Sequence, residues 1–268
     1  SGTGGGFQKF CNGDTDITNA SRPIKAIEVE RCAQEGIEFI EIPMAIDGLT
    51  VVVHPDNDFV QCLTVDELHT IWVPEAQDNV ERWSQVRAVW PDGSFRLFGP
   101  GVDSGTFDFF TTVINGKAQV SREDFIASER DDVLVQGISG EDNSLGYFGF
   151  AFFEESQDKL RAVAIDAGAG CVTPSRETIN NNSYQPLSRP LFIYVNRDVA
   201  DQPNVEQFVH FHLQERSWQL VAEVGYVPFQ SSVYELALAR FEKRLTGTLF
   251  GGDDPQEGSV QDVLVANQ

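Results

Sequence analysis

Two short runs of apolar residues constrain this chain more than anything else in it. Gly48-Leu49-Thr50-Val51-Val52-Val53 and Leu191-Phe192-Ile193-Tyr194-Val195 are continuous, β-rich and uncharged. That is the pattern of strands buried on both faces, which occur where helices cover a sheet from two sides. They stand roughly 140 residues apart and bracket the middle of the chain. Strand and helix patterns alternate through the rest, so the expectation is an α/β protein of two lobes. The chain then crosses between lobes twice. The first lobe takes residues 1–48 and 190–250, the second 49–189, and 251–268 is expected to be an acidic, flexible tail.

The charge balance narrows the partners. Against 41 Asp and Glu there are 19 Lys and Arg, a net charge of −22. Nucleic acids and anionic membrane surfaces need a basic face, so both are excluded. No apolar run is long enough to cross a membrane, and no signal peptide is recognisable. Cys11, Cys32, Cys62 and Cys171 lack any C-x-x-C spacing, which argues against a structural zinc site. They are either buried thiols or two disulfides, in one of three pairings. His54-Pro55-Asp56-Asn57-Asp58 is like a calcium loop only on the surface, since the required Gly and terminal Glu are missing. Nothing implies a metal or a cofactor.

Three stretches could hold a small anion. Phe95 to Phe98 alternates as a strand, Phe107 to Ile114 opens a helix, and Gly99-Pro100-Gly101-Val102-Asp103-Ser104-Gly105-Thr106 lies between them. A glycine-rich turn into a helix aims backbone N–H groups and the positive end of the helix dipole at one point. Ser104 and Thr106 add hydroxyls. The alternative is an ordinary N-cap, with Asp103 or Ser104 accepting from the first helical N–H groups. Ser1-Gly2-Thr3-Gly4-Gly5-Gly6 is a second such loop, ahead of a helix carrying Phe7, Phe10 and Cys11; a flexible leader is its alternative. Asp16-Ile17-Thr18 reads as a strand with Ser21-Arg22 at its C-terminal end, the edge where α/β sheets bind ligands. The Arg22 guanidinium fork matches two oxygens of a tetrahedral oxyanion.

Taken together, SGTGGGFQKF, DITNASRPI, GLTVVVHP, LFGPGVDSGTFDFF, SLGYFGFAFF and QPLSRPLFIYV resemble the periplasmic phosphate-binding proteins of bacterial phosphate ABC transporters. The resemblance runs from Ser1 to about Tyr234. It implies a type II periplasmic-binding-protein fold with phosphate in the interlobe cleft and hinge strands near Leu49 and Leu191. It also implies a membrane permease as partner, a monomeric state and a periplasmic or extracytoplasmic location, with tethering through another segment left open. By resemblance Thr3, Gly4, Ser21, Arg22, Ser104, Gly105 and Thr106 bind phosphate.

The chain departs from the family in three ways. Members begin with a strand and a Ser/Thr loop that precede the position of Ser1, so a chain lacking that wall of the site is expected. Many carry an arginine shortly before the DSGT-like loop, where Pro100 and Gly101 stand here, leaving Arg22 as the cation. The Asp that others use near Ser21 is replaced. That acceptor matters because HPO₄²⁻ has a proton to donate and sulfate has none. Asp103 is the first candidate for it and Asp142 the second.

A serine hydrolase is the competing class. Val102-Asp103-Ser104-Gly105 has a superficial likeness to a serine-hydrolase nucleophile loop, but a nucleophilic serine needs a base within reach. The histidines are His54, His69, His210 and His212, and none has the spacing of such a base. A phosphate-scavenging or sensing module of the same fold is a third class that sequence hardly separates from a transport receptor.

Overall fold

A computed structural model of the chain describes residues 2–250 and 259–267. The chain divides into two compact units, one of residues 1–47, 180–182 and 189–268, the other of 48–179 and 183–188. Beside the passages at 47/48 and 188/189, the short Asn180–Asn182 stretch belongs with unit 1.

In unit 1, strand Ile17–Ala20 pairs antiparallel with strand Ser188–Asn196, Ile17 opposite Val195 and Ala20 opposite Phe192. Strand Phe39–Val53 lies on the other side of Ser188–Asn196. Helices Thr3–Cys11 and Ala26–Gln34 cover the sheet through Phe7, Phe10, Cys11, Ile24, Cys32, Phe39, Phe192 and Tyr194, all buried. A disulfide joins Cys11 to Cys32. The glycine-rich start is helix from Thr3 onward, not loop. Gly4, Gly5 and Gly6 oppose helix by propensity, but packing decides: a Cβ at Gly6 would sit 2.7 Å from Thr18 Oγ1 on the neighbouring strand. Helices Pro203–Leu213, Glu215–Glu223 and Ser231–Glu242 complete the unit. The expected flexible tail is only partly testable. Residues 251–258 lie outside the described residues, while Val260–Ala266 forms a helix capped by Ser259, with Val260 and Leu264 buried.

In unit 2, the strands Arg96–Gly99 and Ser144–Gly149 run parallel, Phe98 beside Gly146. Ser144–Gly149 also pairs antiparallel with Leu49–Val53. Gly146 is required there, since a Cβ would lie 2.8 Å from the Phe98 carbonyl oxygen. Helix Val65–Trp72 is capped reciprocally by Thr64 and Glu67, and helix Gly105–Asn115 ends on left-handed Gly116, φ +78°. A second disulfide joins Cys62 to Cys171. Helix Asp131–Ser139 was not foreseen. Arg161–Ala162 and Ala164–Asp166 are two short strands with different partners.

The two apolar runs are indeed buried strands, and the first is longer than expected. Phe39 to Val53 is a single strand of 15 residues, running through Pro43 and Asp47-Gly48. Asp47 is buried there because Arg189 donates to its carboxylate from Nε at 3.1 Å and Nη2 at 2.9 Å.

Candidate functional site

Unit 1 brings four of the anticipated residues together. Thr3 is the first residue of its helix, so the N–H groups of Thr3, Gly4 and Gly5 belong to the first turn and have no intrahelical acceptor. Ser21 follows the Ile17–Ala20 strand, and its backbone N–H donates to Thr3 Oγ1 at 3.2 Å. The Thr3 and Ser21 hydroxyls are 3.1 Å apart. Arg22 lies against the same turn: a Cβ at Gly4 would stand 3.9 Å from its Nη2. A helix N-terminus, two hydroxyls and a guanidinium therefore share one corner of the unit, reached from two separate stretches of sequence.

That corner is rigid. Ile24 N–H donates to the Tyr194 hydroxyl at 2.8 Å, and this hydroxyl donates to buried Glu41 Oε2 at 2.7 Å. Leu249 N–H and the Thr248 hydroxyl donate to the same carboxylate. Burial pushes the Glu41 carboxyl up, although these hydrogen bonds and the Arg240 charge oppose it. The turn bearing Arg22 is thus tied to the Phe39–Val53 strand. A mostly apolar cavity of about 540 Å³, lined by Met44, Phe192, Phe208, Phe211 and Leu220, has Thr3 and Ser21 at its wall. Its lining does not suit an oxyanion; the donors at the wall do.

Sequence reading missed the partner of Arg22. Nη1 donates to Glu28 Oε2 at 2.8 Å and to the Pro23 carbonyl at 3.0 Å, while Nη2 donates to Glu28 Oε1 at 2.7 Å. Glu28 is 8% exposed. Burial alone would push its carboxyl up; the Arg22 hydrogen bonds, the Lys25 N–H and the neighbouring positive charges outweigh it and hold it below the ordinary carboxylate range. Glu28 is the third residue of its helix, where an acid commonly caps. That position was the signal in the sequence, though it does not point to Arg22.

In unit 2 the DSGT turn does enter a helix, at Gly105. The Ser104 hydroxyl oxygen accepts from Thr106 N–H at 3.1 Å. So Ser104 is an N-cap, and this does not compete with anion binding. A hydroxyl carries one donor besides its lone pairs, and among the described residues nothing takes its proton. Gly105 is exposed, Ser104 and Thr106 half-buried. Asp103 is exposed beside them. The Glu129 carboxylate lies directly over Gly101, where a Cβ would displace it. Glu129 is a second carboxylate at this loop, and only the fold places it there.

Asp142 must be withdrawn as an acceptor. Arg96 pairs with Ser144 in a parallel register, so Asp142 lies at the N-terminal edge of these strands. The DSGT turn leaves their C-terminal edge, about 13 Å away at 3.3 Å per residue. Asp142 Oδ1 instead lies 3.7 Å from His54 Nε2. A catalytic base is equally misplaced. His69 Nδ1 lies 3.0 Å from the Ile114 carbonyl, at the far end of the helix that Ser104 starts, about 15 Å away.

Comparison with known proteins gives the family. The PBP superfamily domain matches residues 1–216. Protein SphX of Synechocystis sp. is 47% identical over 265 residues, 98% of this chain and 79% of the relative. The phosphate-binding protein PstS of Staphylococcus saprophyticus is 36% identical over 236 residues, 87% of this chain and 71% of its own length. The crystal structure of a possible phosphate-binding protein from Planctomyces limnophilus superposes with a TM-score of 0.86 at 48% identity, covering 91% of this chain and 86% of that one. The PstS relative is named as a phosphate-binding protein and the Planctomyces protein as a possible one. The chain belongs to the PBP superfamily and, within it, to the family of the PstS phosphate-binding proteins.

Proposed function

We propose that the protein binds inorganic phosphate and serves as the extracytoplasmic substrate-binding component of a phosphate ABC transporter, acting as a monomer that delivers its ligand to a membrane permease. Thr3, Gly4, Ser21 and Arg22 of unit 1 and Ser104, Gly105 and Thr106 of unit 2 are the ligands in this reading, and Asp103 accepts the phosphate proton. The observation that carries it is the meeting of Thr3-Gly4 with Ser21-Arg22, which presents N–H, O–H and guanidinium donors in one place. With a net charge of −22, local dipoles and one cation must do the attracting. The names of the PstS relatives support phosphate as the ion. Two disulfides support an oxidising, extracytoplasmic compartment.

The test is isothermal titration with phosphate and with sulfate. Tight, phosphate-selective binding is expected, and Arg22→Ala should weaken it by about 30-fold or more, the loss of a charge-assisted pair. Asp103→Asn should narrow the gap between phosphate and sulfate. Absence of phosphate binding by the wild-type chain refutes the reading; selectivity that survives Asp103→Asn moves the acceptor to another carboxylate, with Glu129 the next to test.

A further inference from the structure

We infer that Glu28 is the positioning residue of the anion site: it holds the Arg22 guanidinium in place without itself touching the ligand. The inference rests on the reading in which Arg22 contacts the anion. Arg22 is gripped on several sides. Glu28 takes Nη1 and Nη2 in a two-pronged ion pair, the Pro23 carbonyl takes Nη1 again, and the Phe7 ring lies 5.4 Å from the guanidinium carbon. Glu28 is fixed in turn by the Lys25 N–H at 2.9 Å, which also caps its helix. A free arginine would lose most of its rotamer freedom on meeting an anion; this one has lost it beforehand.

The pairing also neutralises the only cation of the proposed site. Arg22 and Glu28 together carry no net charge, so this pair attracts an anion through directed hydrogen bonds, with the Lys25 charge close by. This gives positioning a signature of its own. A carboxylate near an anion repels it, so on charge alone Glu28→Gln should tighten binding. If the pair merely braces the fold, Glu28→Gln should lower the melting temperature and leave the affinity of the folded protein unchanged. If Glu28 positions Arg22, the same variant should bind more weakly although it has become less negative.

The experiment is titration of the full chain with inorganic phosphate at low and high NaCl, for wild type, Glu28→Gln, Glu28→Asp, Arg22→Gln and the Arg22→Gln/Glu28→Gln double variant, with circular dichroism to confirm folding. Glu28→Gln should weaken binding at least tenfold and make it more salt-sensitive, because the charge on Arg22 is no longer balanced. Glu28→Asp keeps the charge but withdraws the carboxylate by one methylene, and should fall in between. In the Arg22→Gln background the Glu28 substitution should have no further effect. Unchanged or tighter binding by folded Glu28→Gln overturns the inference. Should that variant fail to fold, wild-type affinity in Glu28→Asp overturns it instead. Wild-type affinity in Arg22→Gln would defeat the assignment of Arg22 itself, whereas loss in Arg22→Gln without loss in Glu28→Gln defeats only the role given to Glu28.

Discussion

Ser104 offers a way to separate capping from ligand binding within one side chain. Its oxygen accepts from Thr106 N–H at 3.1 Å, and loss of such a cap costs about 1 kcal/mol. Unit 2 contains roughly 140 residues, so its melting entropy is about 0.3 kcal/mol/K at typical per-residue values. Ser104→Ala should therefore lower the melting temperature of unit 2 by about 3–4 °C. Asp caps as well as Ser does, so Ser104→Asp should stay within about 1 °C of wild type. The size of the phosphate-induced rise ranks the two variants the other way. At about 100 times its Kd, a ligand adds about 2.7 kcal/mol, which the same entropy turns into a rise of about 9 °C for wild type. Ser104→Ala loses one hydrogen bond to a charged group, about 1.5–3 kcal/mol, and most of that rise. Ser104→Asp sets a carboxylate where the anion should lie and should show none. Differential scanning calorimetry in a phosphate-free buffer, with sulfate as control, reads all of these values. A phosphate-dependent rise that persists in Ser104→Asp would refute the reasoning, because the helix N-terminus would then be capped but not occupied.

Two further outcomes concern stability. Burial, with the charges of Asp132 and Glu129 adding to it, pushes the Asp131 carboxyl from 3.8 up to about 6. The folded chain then binds the proton more tightly than the unfolded one, so this group costs nothing below about pH 4 and its full penalty above about pH 6. Asp131→Asn should stabilise the protein at pH 7.5 and not at pH 4; urea melts showing equal stability at pH 7.5 would contradict this. The Cys62–Cys171 bond closes a loop of 109 residues and Cys11–Cys32 one of 21. Chain entropy gives about 5 and 3 kcal/mol respectively, so replacing the Cys62 and Cys171 pair with Ala should cost more in a guanidinium melt than replacing the Cys11 and Cys32 pair.

What the sequence disclosed followed from how local each feature is. Strand, DSGT turn and helix were legible because Ser104, Gly105 and Gly116 act within a few residues of themselves. The convergence of Thr3 with Ser21 was expected from the two-lobed reading and the family resemblance, not from spacing, since a strand lies between them. Glycine misled at the start of the chain. Gly6 reads as a loop residue, yet it lies inside a helix, where Thr18 fills the space a Cβ would need. The strand expected from the Gly48–Val53 run in fact begins at Phe39 and passes through Pro43 and Asp47, and the residue that pays for Asp47 is Arg189, far along the chain. The disulfide pairing and the Arg22–Glu28 fork were open for the same reason: each is decided by packing between elements, which spacing does not encode.

The pairing of Ile17 with Val195 has a consequence for how the molecule is made. The first strand of unit 1 must wait for a partner that leaves the ribosome almost 180 residues later, while nearly all of unit 2 lies in the interval between them. Closing so wide a gap is slow compared with the local contacts available to the intervening segment. Once the chain is in an oxidising compartment, the Cys11–Cys32 bond can hold the first two helices together before that partner strand is in place, since both cysteines lie within the first 47 residues. The turn that carries Ser21 and Arg22 sits at the end of the waiting strand, so this corner of the molecule is completed last.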